Sequence, residues 1–214
     1  MNNNEIKIFR PFGPTVAKFS LPTNIINTLN EYIDKTAKDE NKIKSLDHGH
    51  KLAGNVKQEF KLENQFIESS GLLNFLGMSV AKWIALSEKK KIKNFNVLAC
   101  WIVRQFENEY NPLHWHGGHI SGVGYLKLPK SFGENIQKNK INNYNGKISL
   151  VHGVQMFNCN STFTVQPEIG DFYFFPNYLL HTVYPFNNSD EERRSISFNA
   201  TIDEKIYNTY NTYG

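Results

Sequence analysis

The chain has 214 residues, of which 40% are apolar and 14% aromatic, so it can fold around a sizeable core and is too hydrophobic to be a disordered segment. A formal net charge of +4, with lysines and arginines widely dispersed, is too mild to indicate a nucleic-acid partner. Two isolated cysteines, Cys100 and Cys159, make no disulfide framework and fit a reduced, cytoplasmic protein, and neither a membrane-length apolar run nor a signal-peptide core stands in the sequence.

In chain order, the first fourteen residues are polar and then extended, with a turn at Phe12-Gly13-Pro14. Leu21-Pro22-Thr23 opens a helix, with Thr23 as its N-cap, and Ile25, Ile26, Leu29, Tyr32 and Ile33 recur on one face. That helix fades into the charged run from Lys35 to Lys42, and a loop, LDHGHKLAGN, follows. A second helix is expected from about Gly71 to Glu88. Leu72, Leu73, Phe75, Leu76, Val80, Trp83, Ile84 and Leu86 give it a broad apolar face suited to lie on a sheet. The lysines at 89–91 and 93 read as a solvated helix end.

Strands follow. Phe95 to Phe106 is crowded with apolar residues and lacks helix punctuation. Further strands are expected at His119–Leu128, Lys147–His152, Ser161–Gln166, Phe172–Phe175, His181–Pro185 and Ser195–Ile202, separated by Gly, Pro and Asn. The expected fold is mainly β: a double-stranded β-helix, a jelly-roll of cupin-like form, buttressed by two N-terminal helices. One domain over 1–214 is expected, with helical support at about 20–92 and a jelly-roll core at about 93–204.

The chemistry concentrates in NPLHWHGGHISGVGYLKLP. His114 and His116 are two apart, so on an extended chain both imidazoles leave one face and can share a metal. Trp115 between them should point the other way, into core or against a partner. Two ligands rarely suffice, and His181, where a new strand begins after Pro176, is the best third. His119 is its rival. It starts a strand on which His119, Ser121, Val123, Tyr125 and Lys127 share one face, so it can face the cavity without reaching the metal. His48, His50 and His152 are read as ordinary hydrogen-bonded histidines. Asp47, His48 and His50 could otherwise form a second metal site, or sit over the pocket.

In EERRSISFNAT, Arg193, Ser195, Ser197 and Asn199 alternate with Arg194, Ile196 and Phe198. A polar inner wall is costly unless something polar fills the space, and an arginine there would grip a carboxylate bidentately. Arg194, one residue out of phase, should face outward or pack. Gln105 and Asn111 are weaker candidates for pocket polar groups.

Read together, HWHGGHISGVGYLKLP, GDFYFFPNYLLH and RRSISFN resemble the Fe(II)/2-oxoglutarate-dependent oxygenases, most of all a branch common in marine bacteria and phages. IFRPFGPTVAKFSLP and KLAGNVKQE extend the likeness. The resemblance implies that His114 and His181 are iron ligands and that His116 stands where the wider family has a carboxylate. It implies Arg193 for the distal carboxylate of 2-oxoglutarate, with Tyr125, Ser195 and Ser197 as hydrogen-bonding partners. His119, Lys127 and Asn199 are expected to line the pocket. The implied cofactors are Fe(II) and 2-oxoglutarate, and the implied reaction hydroxylates an unidentified small molecule or protein with O2 and releases succinate. Two other readings stay open: a three-histidine iron dioxygenase without 2-oxoglutarate, and a non-catalytic jelly-roll interaction protein. No membrane partner is expected, and a homodimer through a sheet edge or the helices is left open.

Overall fold

The computed structural model describes residues 6–9 and 13–209. The turn expected at Phe12-Gly13-Pro14 lies partly outside them. Among the described residues, eleven strands run in chain order with five α-helices: β1 (Lys7–Phe9), β2 (Val16–Ser20), α1 (Thr23–Ala37), α2 (Glu40–Leu46), β3 (Gln58–Lys61), α3 (Asn64–Ser69), α4 (Leu72–Ser87), β4 (Phe95–Gln105), β5 (Asn111–His114), β6 (Ile120–Lys127), β7 (Ile148–Val151), β8 (Thr162–Val165), β9 (Asp171–Pro176), β10 (Leu180–Val183), β11 (Arg193–Ile202) and α5 (Glu204–Tyr207). They form two antiparallel sheets, ordered β1-β2-β9-β6-β11-β4-β3 and β5-β10-β7-β8. This is the expected jelly-roll with helices against one sheet. No helix among the described residues is long and apolar enough to cross a membrane.

Alternation along the central strands divides the molecule into two apolar layers. Phe172 and Phe174 of β9 and Ile196, Phe198 and Ala200 of β11 face the helices. They pack there with Ile25, Leu29 and Ile33 of α1 and Leu72, Leu76 and Val80 of α4. Val123 and Tyr125 of β6, with Tyr173 and Phe175, turn the other way and meet Ile148, Leu150 and Val183 of the smaller sheet. Gly122 and Gly124 sit on the helix-facing side of β6. A Cβ at Gly122 would stand 2.6 Å from the Phe198 ring, and one at Gly124 would stand 2.3 Å from the Phe172 ring. Their lack of side chains lets the phenylalanine rings lie flat on the sheet.

Two local details depart from expectation. Thr23 is the first helical residue, and the cap position falls on Pro22, with no side-chain cap. Proline's fixed φ already sets the entry, and its carbonyl accepts from Ile26 N at 3.1 Å. The charged run after α1 re-forms as α2, because Asp39 caps it by accepting from Lys42 N at 3.0 Å. The short elements β3, β5, α3 and α5 have no counterpart among the expected elements.

Candidate metal and anion site

His114 closes β5 and His181 lies on β10, directly opposite it in register. His116 follows on irregular chain whose N–H donates to the Asn177 carbonyl at 3.0 Å, while Asn177 Nδ2 donates back to the His116 carbonyl at 3.0 Å. The three rings converge, with centroid separations of 4.3, 4.9 and 5.0 Å. One ring nitrogen from each lies within 4.8 Å of the others, the only such cluster among the described residues.

Tautomers follow from the second nitrogens. His114 Nδ1 donates to the Pro112 carbonyl at 2.6 Å, and His181 Nδ1 donates to the Leu179 carbonyl at 2.9 Å. A carbonyl only accepts, so both Nδ1 atoms carry the proton and both Nε2 atoms carry a lone pair that a cation could take. His116 Nε2 lies 3.1 Å from His181 Nε2. Burial, then the neighbouring imidazoles, pull His116 down to about 4 and His181 to about 3, and burial also lowers His114. Near neutral pH all three rings are therefore uncharged, the state a metal needs.

Facing them across the gap between the sheets stands Arg193, the first residue of β11. It is 1% exposed. Its Nη1 donates to Gln105 Oε1 at 3.1 Å, while its Nε and Nη2 have no partner and no carboxylate pairs with it. The guanidinium lies 5.0 Å over the Tyr125 ring, whose buried hydroxyl is also without a partner. Such a charge is expensive to bury alone, and its two open nitrogens are donors that an anion with two oxygens could take. Ser195 and Ser197 line the same cavity, of about 180 Å³, with Arg193, His114, His116 and His181. Tyr125 lies beneath Arg193, outside that lining. Gln105 serves by orienting Arg193, and Asn111 lines the cavity.

The other candidates fall elsewhere. Asn199 accepts from Ser121 Oγ at 2.8 Å, away from the cavity. Lys127 keeps 53% of its side chain exposed, with Nζ 3.6 Å from Glu192. A register shift in β11 after Arg194 aligns Lys127 with Arg194, so the inward alternation of β6 stops at Tyr125. Arg194 is buried toward α1, bound to Asp34 at 2.6 Å, to Asn30 Oδ1 at 2.9 Å and to Glu192. His119 follows Gly118, whose φ of +85° turns the chain. Its Nδ1 accepts from Ile202 N at 3.1 Å, its Nε2 lies 3.3 Å from Glu204, and its ring stacks on Tyr207 at 3.9 Å. Tyr207 in turn donates to Asn177 Oδ1 at 3.1 Å, so His119 braces the His116 segment from a distance.

Trp115 is 67% exposed at the rim of the cavity, neither in core nor opposite to it. The strand ends at His114, so the alternation assumed for Trp115 no longer applies there. Asp47 accepts from His50 at 3.2 Å, and His48 lies against Trp101, so the DHGH stretch gathers no three ligands. Its continuation, Lys51-Leu52-Ala53, does line the cavity. Sequence reasoning passed over Asn177 and Glu59, and read Trp101 as packing, whereas it lines the cavity. Of those two, Glu59 left a trace, as part of the KLAGNVKQE likeness.

Residues 99–199 match the family described as "Putative 2OG-Fe(II) oxygenase". No curated protein matches the chain. Solved structures share the fold. A prolyl-4-hydroxylase from Pseudomonas putida aligns at 13% identity over 86% of this chain and 91% of that one, with a TM-score of 0.54. The viral collagen prolyl hydroxylase of Paramecium Bursaria Chlorella virus-1, solved with 2OG, aligns at 13% over 86% and 94%, with a TM-score of 0.54. A Trichoplax adhaerens prolyl hydroxylase, in complex with a hypoxia inducible factor peptide fragment, aligns at 13% over 96% and 87%, with a TM-score of 0.52.

Proposed function

We propose, from a chain whose residues 99–199 match the 2OG-Fe(II) oxygenases and whose fold is theirs, that this protein is an Fe(II)- and 2-oxoglutarate-dependent hydroxylase. The carrying observation is Arg193, a buried guanidinium with two unpartnered nitrogens, set across one cavity from three convergent neutral imidazoles. A dicarboxylate beside a cation meets both needs at once. His114, His116 and His181 would hold the iron. Arg193, helped by Tyr125 and the Ser195 and Ser197 hydroxyls, would hold the distal carboxylate of 2-oxoglutarate.

Bound there, iron and 2-oxoglutarate would supply the oxidising chemistry: one oxygen atom of O2 would enter succinate as 2-oxoglutarate loses CO2, and the other would enter the substrate as a hydroxyl. The chain supplies orientation. The carbonyls of Pro112 and Leu179 fix two imidazoles in the ligating tautomer, and Asn177 fixes the backbone of the third. Gln105 holds Arg193 in the cavity wall. Phe175, 5.0 Å from the His181 ring, together with Val123 and Val183, keeps the floor of the cavity apolar.

The all-histidine ligand set favours one second reading, a three-histidine iron dioxygenase that binds its substrate directly. An anaerobic Fe(II) titration with and without 2-oxoglutarate separates the two. The expected result is a visible charge-transfer band that needs 2-oxoglutarate and is lost in Arg193→Ala and His116→Ala. Stoichiometric iron without the band would favour the second reading, and no iron binding would favour a non-catalytic jelly-roll.

A further inference from the structure

The cavity holds a second buried charge that metal and cosubstrate do not use. Glu59 sits on β3, at the edge of the larger sheet, aligned with Val103 of β4, whose other neighbour is Ser195. It is 2% exposed and lines the same cavity as the histidines. Both carboxylate oxygens lack a hydrogen-bond partner, and no lysine or arginine among the described residues pairs with them. The charged groups that act on it, Asp47 and Glu109, are both acidic. Only the Asn111 amide eases the charge, and burial with these neighbours lifts the carboxyl to about 7.

The surroundings look built for a ligand. Backbone at Gly54 closes over the pair so tightly that a Cβ there would stand 2.6 Å from Asn111 Nδ2 and 2.9 Å from Glu59 Oε1. From Glu59 the wall continues through apolar Val103 and Trp101, and the Trp101 ring lies 5.6 Å from that of His116. A carboxylate, an apolar wall and then the metal ligands describe a guest with a donor head and an aliphatic stem. Arg193 and Glu59 thus give one cavity two unpaired charges of opposite sign. An anion bound at Arg193 leaves Glu59 still unanswered.

We propose that Glu59, with Asn111 beside it, is the substrate-recognition group of this cavity, and that it takes an alkylammonium or alkylguanidinium whose aliphatic carbons lie along Val103 and Trp101 toward the histidines. The proposal rests on the oxygenase reading for what happens to those carbons, but not for the binding itself. The cation comes either from a free small amine or from a lysine or arginine side chain of a peptide.

The test is anaerobic calorimetry on the full chain with Fe(II) and 2-oxoglutarate, the visible band being recorded in the same samples. The probes are n-butylammonium and n-butylguanidinium, neutral n-butylurea, and capped tripeptides with a central lysine or arginine. None carries a free carboxylate for Arg193. Both alkyl cations should bind at least about tenfold more tightly than butylurea. Glu59→Gln should erase that preference, weakening them by about tenfold to a hundredfold, with the band kept and the unfolding midpoint not lowered. A free amine is the source if the alkyl cations bind and the peptides do not; a side chain is the source if the peptides bind at least as well. Equal binding of cations and butylurea, no cation binding, or cation binding untouched by Glu59→Gln would each overturn the proposal. Absence of the band in the wild type would instead count against the oxygenase reading, while the calorimetry still judges Glu59.

Discussion

A buried charge with no partner is a question the protein leaves for a ligand, and Arg193 states it most sharply. Removing the charge relieves a desolvation cost, so Arg193→Met should leave the ligand-free protein as stable or slightly more so. The same change should abolish the gain from 2-oxoglutarate, which in the wild type is about 2.7 kcal/mol at a hundred times its Kd. Thermal unfolding with metal present, with and without 2-oxoglutarate, checks both halves. A variant that still gains stability from the ligand would remove Arg193 from the clamp. Glu59 gives a prediction of opposite character. Its carboxyl is lifted to about 7 from an ordinary 4.5. Between those values the native state keeps a proton that the unfolded chain has released, so stability falls as pH rises through that window. Above pH of about 7 the full penalty stands, at most about 3 kcal/mol. Glu59→Gln should therefore match the wild type near pH of about 4 and exceed it increasingly toward pH of about 8. Urea midpoints that differ by a constant amount across pH would contradict this.

At the level of elements, packing is set where the helices meet the larger sheet. Gly124→Ala would drive a methyl to within 2.3 Å of the Phe172 ring, with backbone fixed on both sides by sheet pairing. A loss of about 1–3 kcal/mol is expected, read as a lower urea midpoint. Gly117→Ala, whose Cβ would meet nothing within 4 Å, is the neutral control. The short helix α5 matters for a different reason. Tyr207 stacks on His119 and donates to Asn177, which holds the backbone of His116. Tyr207→Phe keeps the stack and loses the hydroxyl. It should weaken metal binding by about tenfold, measured by metal titration with the wild type as reference. An unchanged metal affinity would reduce α5 to packing alone.

Across the whole molecule, the site is shared between two sheets. His114 and His181 belong to the smaller sheet, on β5 and β10, while Arg193 and the serines belong to β11, an interior strand of the larger one. A ligand that touches metal and Arg193 together joins the sheets across their own apolar interface. Metal and 2-oxoglutarate should then stabilise the protein by more than the sum of their separate effects, by linkage. Four thermal unfolding curves, with neither, each and both, measure the coupling. Strict additivity would place the two ligands in independent sites.

Much of this was legible in the residues themselves. Seven of the eight described strands after Ser87 fell within two residues of their expected bounds, because alternation and Gly, Pro and Asn punctuation are local properties. The same alternation in RRSISFN separates Arg193 from Arg194, whereas His116, past the end of β5, meets His114 only because Asn177 holds its backbone. Periodicity could not reach further. Lys127 left the inner wall because of a register shift between two strands, and register belongs to a pair. His119 turned to Tyr207, nearly ninety positions later, and Trp115 lost its expected direction where β5 stopped. Glu59 is the clearest case. In KQEFK it is one charged residue among several, and only the closure of β3 against β4, beneath the loop at Gly54, makes it a buried carboxylate facing a metal cavity. The sequence by itself determined which residue types and strand faces were available, because those follow from neighbours in the chain. The tertiary structure alone decided which of them are buried without partners, because burial is a property of what the rest of the molecule places around a side chain.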